Sequence, residues 1–169
     1  MEEFSNNPIS FDDLPRFDLV ELHPVQPSYW KIIRFNLVIL VVLLLLAHVV
    51  VYFTADVIWV AAGLVLSAVL VAVLFIVYKR GLKKMGYAFR ERDVIFRHGV
   101  ITTTTTVIPY NRIQHVALHE GWLSRMLGLS KIQLYTAGTG TGDISIPGLE
   151  AGTAASLKQL LMGKIQQEL

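Results

Sequence analysis

Phe35 to Phe53 reads FNLVILVVLLLLAHVVVYF and, beyond Thr54-Ala55-Asp56, Val57 to Tyr78 reads VIWVAAGLVLSAVLVAVLFIVY; neither run contains Asp, Glu, Lys or Arg. As a helix rising about 1.5 Å per residue, each spans roughly the 30 Å hydrocarbon core of a bilayer. The two runs therefore predict two transmembrane helices, at about 35–53 and 57–78. The connection between them is so short that they must form an antiparallel hairpin, which returns the chain to the side it came from.

The flanks orient the hairpin. Lys31 and Arg34 precede it, Lys79, Arg80, Lys83 and Lys84 follow it, and the connection has no basic residue. The positive-inside rule then places both chain ends in the cytoplasm of a cell-membrane protein. Tyr29, Trp30 and Tyr78 mark the inner boundary, and Tyr52, Phe53 and Trp59 the outer. A cleaved signal peptide would begin with a basic segment and a shorter apolar core, whereas 34 mostly polar residues come first here, so this segment is expected to be retained.

Charge is sorted along the chain. Residues 1 to 34 carry six acids and three bases (−3), residues 35 to 78 only Asp56 (−1), and residues 79 to 169 twelve bases and six acids (+6). A basic domain beside the hairpin suits the anionic inner leaflet, where each well-placed cation contributes about 1 kcal/mol. The chain has no cysteine, which rules out disulfides, thiolate metal sites and a cysteine nucleophile.

Beyond Lys84 the pattern becomes one of short strands. Met85–Arg90 and Asp93–His98 form a hairpin about Glu91-Arg92, and Gly99 offers a second turn. The run Thr102–Thr106 is β-branched and flanked by Val100-Ile101 and Val107-Ile108, so it reads as a strand whose register its neighbours must set. Pro109 and Asn111 bend the chain, Ile113–His119 alternates again, and Gly121–Leu127 fits a turn or two of helix ending at Gly128. Lys131–Thr136 is a further strand, Gly138–Asp143 a flexible turn, and Ile144–Ile146 a short strand stopped by Pro147-Gly148. From Ala151 to Gln167, Ala154, Leu157, Leu161 and Ile165 follow helical spacing. The expected fold is α+β: a hairpin at 29–80 after an N-terminal cytoplasmic segment at 1–28, then a barrel-like or sandwich sheet at 85–169 capped by a C-terminal helix.

No catalytic motif is present. His119-Glu120 lacks the second histidine of a zinc protease helix, and GTGTGD leads into a strand instead of the helix that a dinucleotide site requires. His115 and His119, on a strand, lie about 13 Å apart, too far to share an ion. No metal, no cofactor and no enzymatic activity are expected. His48, titratable and inside a span, matches the depth of Ala61, Ala62 and Gly63 and is the candidate intramembrane polar contact. Gly63-x-x-x-Ser67 and Ala68-x-x-x-Ala72 are small-residue spacings that allow close helix packing. Lys79, Arg80, Lys83 and Lys84 are candidate contacts for anionic lipid. Nucleic acid is not an expected partner, since no aromatic residues are interleaved with these cations.

The two membrane helices, then IPYNRIQHV, GWLSRMLGLS, LYTAG and ISIPGL in this order, together resemble the YdbS-like family of bacterial membrane proteins with a pleckstrin-homology-like domain. Leu22-His23-Pro24 is similar to that family's pre-membrane motif, and the match runs from about Glu21 almost to the carboxyl end. The resemblance implies a PH-like sandwich of two sheets under the membrane, without a known catalytic centre. It also implies that Pro109, Arg112 and Gln114 (in P-x-x-R-I-Q) and Arg125 (in R-x-x-G-L) are structural or interaction positions. The expected function is a membrane-anchored scaffold with a protein partner: a larger membrane protein carrying the same domain, or a second copy. The alternatives are an anionic-lipid sensor using the basic juxtamembrane face and a small oligomeric transporter or channel component using His48.

Overall fold

A computed structural model describes residues 20–137 and 143–167. In chain order these form β1 (His23–Pro24), α1 (Tyr29–Tyr52), α2 (Val57–Lys84), β2 (Gly86–Phe89), β3 (Asp93–His98), β4 (Thr104–Pro109), a 3-10 turn (Tyr110–Arg112), β5 (Ile113–His119), α3 (Trp122–Met126), β6 (Leu129–Thr136), β7 (Ile144–Glu150) and α4 (Ala151–Gln167). The expected turn at Gly138–Asp143 falls mostly outside the described residues, as does most of the N-terminal segment at 1–28.

Both helices outrun their apolar cores by a turn or more on the domain side, so the aromatic and basic flanks are themselves helical. Leu37 of α1 and Val60 and Gly81 of α2 are buried between elements, while most of the remaining apolar surface of the pair faces outward, as a surface meeting acyl chains must. Trp30 stacks edge-on against Phe75 across the hairpin at 5.2 Å.

The domain is two antiparallel sheets packed as an open sandwich. One has the order β1-β2-β3-β4 and the other β5-β6-β7. Val94, Phe96 and Ile108 from the first sheet and Tyr110 from the 3-10 turn meet Val116, Ile132, Leu134, Ile146 and Leu149 from the second sheet in one core. Ala154 and Leu161, both fully buried, seat α4 on that core, and Leu157 and Ile165 pack at its margin. The α+β expectation and the C-terminal cap are thus borne out.

Three details differ from the sequence reading. The segment before α1 contributes a strand: His23 pairs with Tyr87 and Pro24 with Gly86. The threonine strand begins only at Thr104, and its register is set at the other end, where Ile108 lies opposite Val94 in the core. Pro147-Gly148 does not stop β7. Ser130 faces Leu149 and Ile132 faces Ile146, so both residues bulge opposite Lys131, and a bulge tolerates a proline with no ladder donor.

Strand direction divides the domain into two ends. β2 leaves α2 at Gly86 and descends at about 3.3 Å per residue, so successive turns alternate between a near end at the helices and a far end. At the near end, a Cβ on Gly81 would lie 2.7 Å from Val100, Trp122 touches Phe35 of α1, and the amide of Gln26 donates to the Gly148 carbonyl at 2.8 Å. At the far end, the amide of Tyr110 donates to Arg92 at 3.0 Å and that of Ala137 to Arg112 at 2.9 Å.

Gly148 joins both halves of the molecule. Its φ is +66°, and a Cβ there would approach the Tyr29 side chain to 2.9 Å. Gly148→Ala is expected to lower stability by about 1–2 kcal/mol from the left-handed backbone alone, with the clash adding to it; thermal unfolding of the full chain in detergent measures this.

Candidate functional site

The sequence points to three places, and the fold keeps them apart. The first lies within the membrane hairpin. His48 Nδ1 is 2.7 Å from the Leu44 carbonyl one turn earlier, an oxygen that can only accept, so the ring carries its proton there. That leaves Nε2 directed at α2. It lies 2.8 Å from where a Cβ on Gly63 would stand, and 3.5 Å from Ser67 Oγ, whose own proton goes to the Gly63 carbonyl at 2.5 Å. Gly63 therefore provides the room that the imidazole fills. The depth match and the small-residue spacing read from the sequence meet at this contact. On the outward side, a groove of about 610 Å³ between the helices is lined by His48, Ser67, Ala68, Ala72 and Phe75 among others.

The second place is the juxtamembrane cluster. Of the four cations, Lys83 and Lys84 line a cavity of about 390 Å³ with Arg97, Thr103 and Leu22. Lys79 instead lies over the Phe75 ring at 5.8 Å, and Arg80 does not line the cavity. Arg97 was not among the candidates; it reaches the cavity because β3 returns toward α2, opposite Gly86, and its Nε donates to Thr105 Oγ1 at 3.1 Å. Its spacing from the lysines carries no local signal, since only the β2–β3 pairing brings them together. No acidic side chain lines this cavity, and among the described residues none of its three cations is in an ion pair.

The third place is the far-end corner. Pro109, Arg112 and Gln114 are exposed around the 3-10 turn, and buried Tyr110 holds the turn in place. The Tyr110 hydroxyl donates to the Arg90 carbonyl at 2.6 Å, and Arg90 Nε in turn donates to Asp93 Oδ1 at 2.6 Å. Burial, and then the negative charge of Asp93, push the Tyr110 phenol above its ordinary pKa. Arg125 does not join this group. It lies on α3 at the near end, its side chain 74% exposed and 4.0 Å from Glu120. His115 and His119 lie on β5 as expected, and among the described residues no cluster of three metal-ligating side chains occurs.

Comparison with known proteins agrees with this architecture. A family model described as "Bacterial PH domain" matches residues 19–165. The chain belongs to this family. It is also similar to the "UPF0699 transmembrane protein YdbS" of Bacillus subtilis (strain 168), with 30% identity over 88 residues, 52% of this chain and 54% of that protein. The chain thus spans about half the length of the curated relative it matches. No solved structure matches significantly. With two apolar spans and a transmembrane relative, the chain is a membrane protein that carries a bacterial PH domain.

Two outcomes follow for these sites. Gly63→Ala is expected to destabilise the wild-type hairpin but to cost little in a His48→Ala background; a double-mutant cycle of thermal unfolding in detergent reads this coupling. Tyr110→Phe is expected to cost about 1 kcal/mol near neutral pH. The raised phenol contributes stability below the ordinary value of about 10 and loses it as pH rises through the folded value, so the variant should also show a smaller alkaline loss.

Proposed function

We propose that the chain is a non-enzymatic, membrane-anchored PH-like interaction module that presents a protein-binding surface at the cytoplasmic face of the membrane. The observation that carries this reading is the far-end corner. Pro109, Arg112 and Gln114 are all exposed at or beside a turn that Tyr110 ties to Arg92 through its amide and to Arg90 through its hydroxyl. An exposed group on a rigid turn loses little conformational entropy on binding, which suits recognition. Anchoring by two helices raises the local concentration of any membrane-bound partner, so a small contact is enough. The partner that fits best is a membrane protein carrying the same domain, or a second copy. The basic flanks at Lys31, Arg34, Lys79, Arg80, Lys83 and Lys84 support a cytoplasmic location for the domain and both chain ends. The non-enzymatic reading rests on the lack of any recognisable catalytic motif in the sequence.

A second reading, anionic-lipid sensing, is favoured by the cavity of Lys83, Lys84 and Arg97, which has the charge, and lies at the depth, for a lipid headgroup. The two readings use opposite ends of the domain and are separable. Crosslinking in native membranes followed by mass spectrometry is expected to recover a partner from wild type and to lose it from an Arg112→Glu, Gln114→Ala variant. A variant with Lys83, Lys84 and Arg97 all changed to Gln should keep that partner. Recovery of the same proteins from both variants would remove the corner as the binding surface, and loss of co-purifying anionic lipid from the Gln variant would favour the second reading.

A further inference from the structure

We propose that the β3–β4 turn and α3 are interfacial anchors that enter the leaflet on the domain's side of the bilayer, one beside each transmembrane helix. The two near-end segments carry the most exposed large apolar side chains of the domain: Ile101 is 94% exposed, Met126 76% and Trp122 64%. Single exposed apolar residues are ordinary on a soluble surface. These three, however, belong to the two turns that touch the membrane helices.

The contacts set their depth. The Trp122 ring meets that of Phe35 edge-on at 5.4 Å. Phe35 opens the uncharged run of α1 and directly follows Arg34, so the indole lies at the boundary between headgroups and acyl chains, where tryptophan partitions. On the other helix, Val100 packs into the space left by Gly81, about 4.5 Å past Tyr78 at the rise of a helix, and Lys84 Nζ donates to the Val100 carbonyl at 3.0 Å. Ile101 is the next residue. The turn takes this form because Gly99 has φ +111° and the Thr102 carbonyl oxygen occupies the place a Cβ would need.

Lipid is the occupant that fits. Ile101 follows Val100, which packs on α2, and Trp122 packs on α1 with Met126 one turn further along α3, so these exposed tips adjoin the apolar surface that α1 and α2 turn outward. Arg34, Arg80, Lys83 and Lys84 lie in the flanking turns of the two helices, and α3 adds Arg125, a long exposed side chain able to reach headgroup phosphates. The base of the hairpin and two side tips make three points of support, which fix the tilt of the domain. This inference concerns the near end and stands apart from any partner at the far-end corner.

The absence of native cysteine makes the test direct. Single nitroxide labels are placed at Ile101→Cys, Met126→Cys, Glu91→Cys on the far hairpin and Leu43→Cys inside the first span, in the full chain in phosphatidylcholine–phosphatidylglycerol vesicles. Collision with oxygen, which concentrates in hydrocarbon, is compared with collision with a water-soluble nickel chelate. The expected oxygen-to-nickel ratio at 101 and 126 is several-fold above that at 91 and below that at 43. A ratio at either tip equal to that at 91 would overturn the proposal. So would shielding of either tip from both reagents, the signature of a second protein surface instead of lipid.

Discussion

Two residues, His23 and Pro24, pair with Tyr87 and Gly86, and through that pairing the chain entering the membrane is tied to the chain leaving it. The rest of the molecule depends on this clasp. It sets the relative height of the two helix ends, starts the first sheet at the membrane, and brings Gln26 to the Gly148 carbonyl, so that the second sheet hangs from the same point. Tyr29 then closes over Gly148. The domain is consequently held against the hairpin on both sheets, with short covalent connections at Val25–Ser28 between β1 and α1 and at Met85 between α2 and β2.

The hairpin was legible in the sequence because two spans cannot close a barrel, so hydrocarbon leaves their backbones no alternative to a helix, and composition alone reports that. Most strands and α4 were legible from alternation and helical spacing, with one core face each. β1 was not, because two residues have no period to read. The extension of β7 was missed since Pro147-Gly148 has the composition of a stop, and only the facing residue Lys131 reveals a bulge. The same limit applies to function. Lys83 and Lys84 could be found from local charge, but Arg97 joins them by pairing across the sheet, and Arg125 parts from Arg112 and Gln114 because β5 carries the chain back to the membrane.

The division into ends gives the domain a direction. Basic and apolar side chains collect near the helices, at Lys83, Lys84, Arg97, Trp122 and Ile101, while a turn braced by Tyr110 faces away. His48 belongs to neither end. Its imidazole finds one partner a turn away on its own helix and a cleared space at Gly63, so a polar group sits deep in the hairpin without leaving its protonated nitrogen unsatisfied.

The clasp also bears on the order in which the molecule is made. His23-Pro24 leaves the ribosome before either helix, while its partner Gly86-Tyr87 follows both. In water, closing a loop of that size would cost chain entropy before any contact rewarded it. Here the bilayer closes it: once the hairpin has inserted, the two segments emerge side by side at the same surface. The inserted hairpin thus does for the β1–β2 pair what a tight turn does for β2–β3: it holds the two strands side by side.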